Sequence, residues 1–213
     1  MLACTWDEKL VEEIGVAGAL ETKENNLAIW LTPGLNIHRS SLCGRNFEYY
    51  SEDPYISGKM AAAMVRGIQS QNIVAVPKHF ACNNKETNRG NSDSIVSERA
   101  LREIYLKGFE ICVKESDPKM IMVSYNVLNG VRVNENTELI MGILREEWGF
   151  KGMVTSDWGV QGEHGRLVKA GTDIRMCHYD GIEIKVAHES GAITRNDMAI
   201  CAKRILEMIL WLE

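Results

Sequence analysis

The chain has 213 residues, of which 45% are hydrophobic and 25% charged, as in a soluble globular protein with one sizeable core over residues 1–213. A formal net charge of −5, without any basic run or basic-aromatic stripe, argues against binding to nucleic acid. Charge appears as early as Asp7, so the start is neither a signal peptide nor a membrane span, and we expect a cytoplasmic protein without a membrane partner.

Strands and helices alternate along the chain. Short apolar stretches predict strands at residues 27–31, 73–76, 120–123, 153–155 and 173–176. Apolar residues at helical spacing predict helices after a capping box at residues 5–8 and at about 54–69, 97–114, 138–148, 181–190 and 194–212.

This alternation predicts parallel strands joined by right-handed crossovers. No glycine-rich nucleotide-binding loop follows any of the strands, and a complete eight-stranded barrel needs about 250 residues. We therefore predict an α/β fold that resembles a TIM barrel but is incomplete.

Polar and charged side chains follow the first four predicted strands, at the end where parallel α/β folds bind ligands. They are His38, Arg45, Asn46 and Glu48 after the first strand, Lys78 and His79 after the second, Ser124, Tyr125 and Asn126 after the third, and Asp157 and Trp158 after the fourth. Cationic donors, carboxylate acceptors and an aromatic face together suit a hydroxyl-rich sugar.

Asp157 is the central candidate, because a carboxylate inside a buried strand would cost several kcal/mol to desolvate and is better placed at the strand end. An alternative interpretation makes Asp157 the cap of the next helix and Trp158 a core residue. Taken alone, His79 is better explained as a hydrogen-bonded core histidine. Arg45 and Glu48 would then form a surface ion pair worth less than about 1 kcal/mol.

Five ordered blocks resemble the N-terminal domain of family 3 glycoside hydrolases of the β-glucosidase type. They are residues 31–39 with 42–54, 78–89 (Lys-His-Phe-Ala-Cys-Asn-Asn-Lys-Glu-Thr-Asn-Arg), 97–110, 124–130 and 154–159 (Val-Thr-Ser-Asp-Trp-Gly). The resemblance implies that Asp157 is the nucleophile of a retaining mechanism. It also implies a −1 sugar subsite, with Arg45, Lys78 and His79 on the hydroxyls and Tyr125 and Trp158 along the walls.

A retaining mechanism needs a second carboxyl group, about 5–5.5 Å from the nucleophile, as general acid and base. In the β-glucosidases of this family that group is a glutamate on a following C-terminal domain, and a further sugar-binding aspartate lies upstream in an Asp-Gly segment. Neither segment is recognisable here, so the resemblance implies a domain truncated at both ends. The loop residues Glu48, Glu86 and Glu163 are candidate substitutes.

The charges around Asp157 bear on its protonation. Cations such as Arg45 and Lys78 are expected to keep the pKa of Asp157 low, so that the carboxylate stays ionised and nucleophilic.

Two functions remain open from the sequence: a retaining β-glucosidase, with β-xylosidase-type specificity as a variant, and a non-catalytic sugar-binding or structural barrel fragment. The family's hexosaminidase branch is excluded, because its His-Asp pair after Lys-His is absent.

Composition also bears on cofactors and partners. Five histidines without paired spacing and six scattered cysteines argue against a metal, predict no cofactor and favour reduced thiols. An incomplete barrel exposes strand edges and apolar faces, so we expect self-association or pairing with the missing C-terminal domain in trans.

Overall fold

The computed structural model describes residues 1–177 and 181–213. Its strands are β1 (Ile29–Trp30), β2 (Val74–Ala75), β3 (Lys78–Phe80), β4 (Asp93–Ser94), β5 (Met120–Val123), β6 (Val127–Leu128), β7 (Val131–Arg132) and β8 (Met153–Thr155). Its α-helices are α1 (Glu8–Glu24), α2 (Pro54–Gln69), α3 (Glu98–Ala100), α4 (Lys107–Ser116), α5 (His164–Ala170), α6 (Ile182–Glu189) and α7 (Arg195–Leu212). Leu101–Tyr105 and Glu138–Glu147 are π-helical, and Leu2–Thr5, Asn46–Glu48 and Val133–Glu135 form 3₁₀ turns.

The main strands are parallel and stand side by side in chain order. Strand β1 pairs with β2, the chain runs on from β2 into β3, and β3 pairs with β5, which pairs with β8. Single bridges join Gly34 to Lys78 and Thr155 to Ile174. Sequential order is that of a TIM barrel, but the strands of the described residues do not close into a ring. The predicted incomplete, barrel-like α/β fold is confirmed.

Alternate residues of these strands face two different hydrophobic layers, as the pleat requires. On one face, Ala75, Ile121 and Val154 join the main core, together with the crossover helices. The opposite face carries Val74, Val76, Met120, Met122 and Met153, and these pack against Ile205, Met208, Trp211 and Leu212 of α7. Helix α7 therefore covers the face that a closed barrel would turn toward its interior.

Helices α1 and α2 pack closely because glycines meet at their crossing. A Cβ atom on Gly67 would lie 2.1 Å from the main-chain oxygen of Glu12, and one on Gly15 would lie 2.8 Å from that of Met64. The predicted bounds of α2 are confirmed, with Asp53 as its N-cap.

The predicted start of α1 is wrong in detail. Residues 2–5 form a 3₁₀ turn, and Asp7 is the N-cap, with its carboxylate accepting from the main-chain nitrogen of Leu10 at 3.1 Å. The buried face of α1 consists of Val11, Gly15 and Ala19, while Leu10 is exposed.

Two further predictions change. The helix predicted over 97–114 is divided by the π-helical turn Leu101–Tyr105. The weak strand predicted over 173–176 is reduced to the bridge at Ile174. A small outlying sheet of β4, β6 and β7 was not predicted, since two-residue strands leave no apolar alternation to detect.

All six cysteines are free thiols in the structure. Within residues 1–177 and 181–213, none of the helices combines the length and the apolar character that a bilayer crossing requires.

Candidate active site

Asp157 and His79 come from neighbouring parts of the sheet and face each other. Asp157 follows β8 after one residue, and His79 is the middle residue of β3. Because both β3 and β8 pair with β5 in parallel, the two residues lie at the same edge of the sheet. His79 Nε2 lies 3.6 Å from Asp157 Oδ2. The residues that follow the second and fourth predicted strands therefore lie close together, as the sequence predicts.

The alternative interpretation of Asp157 as a helix cap is wrong. The next helix, α5, begins at His164 and has Glu163 at its N-cap position. Trp158 is 59% exposed, so it is not a core residue either. Asp157 is free of a structural task of this kind.

Arg45 and Lys78 share one carboxylate. Glu48 Oε1 accepts a hydrogen bond from Arg45 Nε, and Lys78 Nζ lies 3.3 Å from the other oxygen of Glu48. Burial favours protonation of Glu48, but the Arg45 hydrogen bond and the charge of Lys78 outweigh it, so the pKa of Glu48 is lowered. Glu48 therefore aligns two cations and is unsuited to act as a general acid.

The other two candidate acids are also held by arginines. Glu86 accepts from Arg89 at 2.7 Å and from Asn83 at 3.0 Å. Glu163 is mostly exposed and lies 3.0 Å from Arg166. Each of these two carboxylates is therefore engaged in an ion pair with a neighbouring arginine.

The electrostatics of Asp157 differ from the prediction. Burial raises the pKa of Asp157, and the main-chain N–H of Trp158 and the charges of Arg45 and Arg89 only partly oppose this effect. Oδ1 accepts from the Trp158 nitrogen at 2.7 Å, whereas buried Oδ2 has no hydrogen-bond partner among the described residues. The expected low pKa is therefore wrong, because desolvation outweighs the cations.

Tyr125 and Trp158 are linked beside the carboxylate. The Tyr125 hydroxyl donates to the main-chain oxygen of Trp158 and lies next to Asp157. The guanidinium of Arg89 stacks on the Tyr125 ring, 4.3 Å from its centre. Arg89 thus belongs to the cluster, although it received no role from the sequence; its place at the end of the block 78–89 was the only signal.

His79 is fixed at both its backbone and its ring. Its main-chain nitrogen donates to Asn36 Oδ1 at 2.7 Å, and its main-chain oxygen accepts from Asn36 Nδ2 at 2.9 Å. Burial, followed by the charges of Arg45, Lys78 and Arg89, lowers the pKa of His79 well below its ordinary value. The imidazole is therefore neutral near pH 7.

This cluster has the parts of a site for nucleophilic attack on a polyhydroxylated substrate. A buried carboxylate oxygen without a hydrogen-bond partner in residues 1–177 and 181–213 is available as the nucleophile. The fixed cations and the neutral imidazole around it are suited to bind hydroxyl groups. Its residues do not line the groove of about 650 Å³ that lies between α7 and the π-helix Glu138–Glu147. No group of three or more His, Cys, Asp or Glu within the described ranges is arranged to hold a metal ion.

Comparison with known proteins shows the family to which the chain belongs. The family model described as "Glycosyl hydrolase family 3 N terminal domain" matches residues 1–208. The chain is 59% identical over 199 residues to "Beta-glucosidase A" of Butyrivibrio fibrisolvens, covering 93% of this chain and 24% of that protein. It is 46% identical over 211 residues to "Thermostable beta-glucosidase B" of Acetivibrio thermocellus, covering 98% of this chain and 28% of that protein.

A solved structure agrees with this assignment. "Beta-glucosidase 3B" from Thermotoga neapolitana in complex with glucose superposes with a TM-score of 0.95 and 48% identity, covering 99% of this chain and 31% of that one. The chain therefore spans about a quarter of the length of the curated relatives it matches. On the family match over residues 1–208, the chain belongs to glycosyl hydrolase family 3.

Proposed function

We propose that the chain acts in the retaining hydrolysis of terminal β-D-glucosyl residues, with Asp157 as the nucleophile. The observation that carries the proposal is the buried Asp157 Oδ2, which has no hydrogen-bond partner among the described residues and faces His79. The beta-glucosidase names of the relatives support the choice of sugar.

In the proposed reaction, Asp157 Oδ2 attacks the anomeric carbon while the bond from that carbon to the leaving oxygen breaks. The leaving oxygen takes a proton from a carboxylic acid, which leaves a covalent glycosyl-enzyme. Water then attacks the anomeric carbon and breaks the bond between that carbon and Asp157. The group that acted as the acid in the first step is now a carboxylate, and it accepts the proton from this water. Arg45, Lys78 and His79 bind the sugar hydroxyls, and Tyr125 and Trp158 form the walls around the ring.

The proton donor is the missing part of this scheme. Glu48, Glu86 and Glu163 are each paired with an arginine. We therefore propose that the acid comes from a polypeptide segment outside residues 1–213 or from another copy of the chain. The same ion pairs favour a second candidate, a sugar-binding domain that is not catalytic by itself.

An activated substrate separates these two candidates. A 2,4-dinitrophenyl β-D-glucoside carries a leaving group that needs little acid assistance, so the first candidate predicts release of dinitrophenolate by the chain alone. Asp157→Ala should abolish that release, and 2-deoxy-2-fluoro-β-D-glucosyl fluoride should attach covalently to Asp157, as mapped by peptide mass spectrometry.

Other outcomes decide against the first candidate or refine it. A label on another residue, or release that survives in Asp157→Ala, contradicts the nucleophile. Retained glucose binding without any release supports the non-catalytic candidate. Faster release from the corresponding β-D-xyloside would instead favour xylosidase-type specificity.

A further inference from the structure

Tyr49 connects the loop after β1 to the histidine that faces Asp157. Its hydroxyl oxygen lies 3.2 Å from Nδ1 of His79 and 3.5 Å from Nδ2 of Asn83. Tyr49 is 4% exposed and His79 is 1% exposed, so water does not compete readily for these contacts. Tyr49 is not predictable as a site residue, since nothing in the sequence brings it near a residue 30 positions away.

The orientation of the Asn83 amide is fixed from its other side. Asn83 Nδ2 donates to Glu86 Oε1 at 3.0 Å, and Glu86 is in turn paired with Arg89. The amide nitrogen therefore points toward both the carboxylate and the Tyr49 hydroxyl. Because an NH₂ group only donates, the phenol oxygen of Tyr49 is the acceptor of that bond.

The proton on Tyr49 consequently points to the imidazole. Burial raises the pKa of Tyr49, so the phenol keeps its proton. The hydroxyl group then donates a hydrogen bond to Nδ1 of His79. The neutral imidazole has a single N–H. With Nδ1 acting as acceptor, that N–H lies on Nε2, which is the atom 3.6 Å from Asp157 Oδ2.

We propose that Tyr49 is a positioning residue that holds His79 in its Nε2–H tautomer, so that a neutral donor and not a lone pair faces the nucleophile. The inference rests on the proposed function for its link to catalysis. A donor toward Oδ2 favours the carboxylate over the carboxylic acid, whereas a lone pair there repels it. Tyr49 would thus counter part of the desolvation that Asp157 experiences.

The packing around Tyr49 agrees with a fixed ring. A Cβ atom on Gly34 would lie 2.9 Å from Cδ1 of the Tyr49 ring and 3.0 Å from Cε1. Gly34 therefore leaves space for the ring at the point where the chain bridges to Lys78. The hydroxyl reaches His79 because no side chain occupies that space.

The first test is spectroscopic and does not depend on activity. In the ¹⁵N-labelled full chain, the nitrogen shifts and two-bond couplings of His79, assigned with a His79→Gln variant, should show the Nε2–H tautomer. In Tyr49→Phe a substantial fraction should move to the Nδ1–H form. Tyr50→Phe, which removes the hydroxyl of a neighbouring half-buried tyrosine, should leave the pattern unchanged. A wild-type Nδ1–H form, or an unchanged Tyr49→Phe spectrum, would overturn the inference.

The second test uses the rate at which the fluoroglucoside labels Asp157 at different pH values. The groups that face Asp157 are Arg45, Arg89, Tyr125 and His79, and Tyr49→Phe alters only the last of these. The acidic limb of the labelling rate should move upward by about one pH unit.

The two proposals fail in different ways. If wild-type Asp157 is not labelled while the tautomer changes in Tyr49→Phe, the proposed function fails and the tautomer assignment stands. If Asp157 is labelled and the acidic limb does not move in Tyr49→Phe, the positioning role is overturned.

Discussion

At the scale of single residues, Asp157 lowers the stability of the fold, and its proposed role as the nucleophile explains why it is present. A buried carboxylate whose Oδ2 has no hydrogen-bond partner among the described residues weakens the fold whenever it is ionised. Its pKa is raised by burial, so the penalty is present above the folded-state pKa and disappears below the unfolded-state pKa.

Asp157→Asn is therefore expected to stabilise the chain near pH 7, by roughly 0.5–2 kcal/mol, because it removes a desolvated charge. The gain should vanish in acid, where the aspartate is protonated in both states. Urea unfolding at both pH values measures it, with the exposed Asp117→Asn as control. A destabilised Asp157→Asn at neutral pH would contradict this account of the site.

The effect of Glu48 on stability changes with pH in the opposite direction from that of Asp157. Its pKa is lowered, with the Arg45 hydrogen bond and the Lys78 charge outweighing burial, so its stabilising effect is present above the unfolded-state pKa and lost as the pH falls through the folded-state pKa. We expect Glu48→Gln to cost about 1–3 kcal/mol near neutral pH and less in acid.

The same variant should weaken glucose binding, because Arg45 and Lys78 lose the anion that aligns them. Calorimetric titration with glucose measures this effect. The control is Glu103→Gln, which removes an exposed partner of Arg99 and should change stability by less than about 1 kcal/mol. Equal effects of the two variants would show that the Glu48 cluster is an ordinary surface feature.

At the scale of elements, one buried carboxylate connects three segments. Asp173, whose side chain is fully buried, lies 2.8 Å from Arg145 of the π-helix and 2.9 Å from Arg204 of α7. It also accepts from the Val154 nitrogen in β8 at 2.8 Å. Burial is the largest influence on Arg145 and lowers its pKa to about 10.

Asp173→Asn should therefore be severe, at about 3–5 kcal/mol, because it leaves two buried cations without their counter-charge. Urea unfolding gives the cost, and hydrogen exchange should show the largest loss of protection in α7. On the same helix, Glu207→Gln removes only an exposed partner of Lys203 and serves as control. Unchanged hydrogen exchange in α7 would show that the ion pairs of Asp173 do not stabilise this helix.

The elements also show where sequence reasoning succeeds. The bounds of α2 were predictable because Asp53 and Pro54 mark the start and an unbroken apolar stripe follows. Strand β5 was equally clear. The π-helical turns were not, since they keep the apolar spacing of an ordinary helix.

Within the site, the strand ends predicted which groups meet, but not their electrostatics. The pKa of Asp157 depends on burial by distant segments, and the contact between Tyr49 and His79 depends on how two loops fold together. Neither leaves a local pattern in the sequence.

At the scale of the whole molecule, the outward side of α7 carries exposed leucines beside the ion pair of Lys203 and Glu207. Leu206 and Leu210 are 58% and 66% exposed, and four residues apart they lie on the same side of the helix. We propose that this surface drives self-association of the chain.

Light scattering should then give a mass above the 23.9 kDa of one chain. The double variant Leu206→Glu with Leu210→Glu should return the mass to that of a monomer. Leu42→Glu, at an exposed loop position, should not change it. A wild-type chain that stays monomeric at all concentrations and unfolds cooperatively would refute the proposal.

The layer between the sheet and α7 has a chemical character of its own. Four of its buried side chains are methionines: Met120, Met122, Met153 and Met208. Unbranched thioethers adapt their shape readily, so the helix is able to adjust against the strands without opening a void, while the hydrogen-bonded ladder keeps the strand ends in place. Oxidation of these thioethers to sulfoxides would introduce polar groups into this buried layer and would weaken the contact between the helix and the sheet.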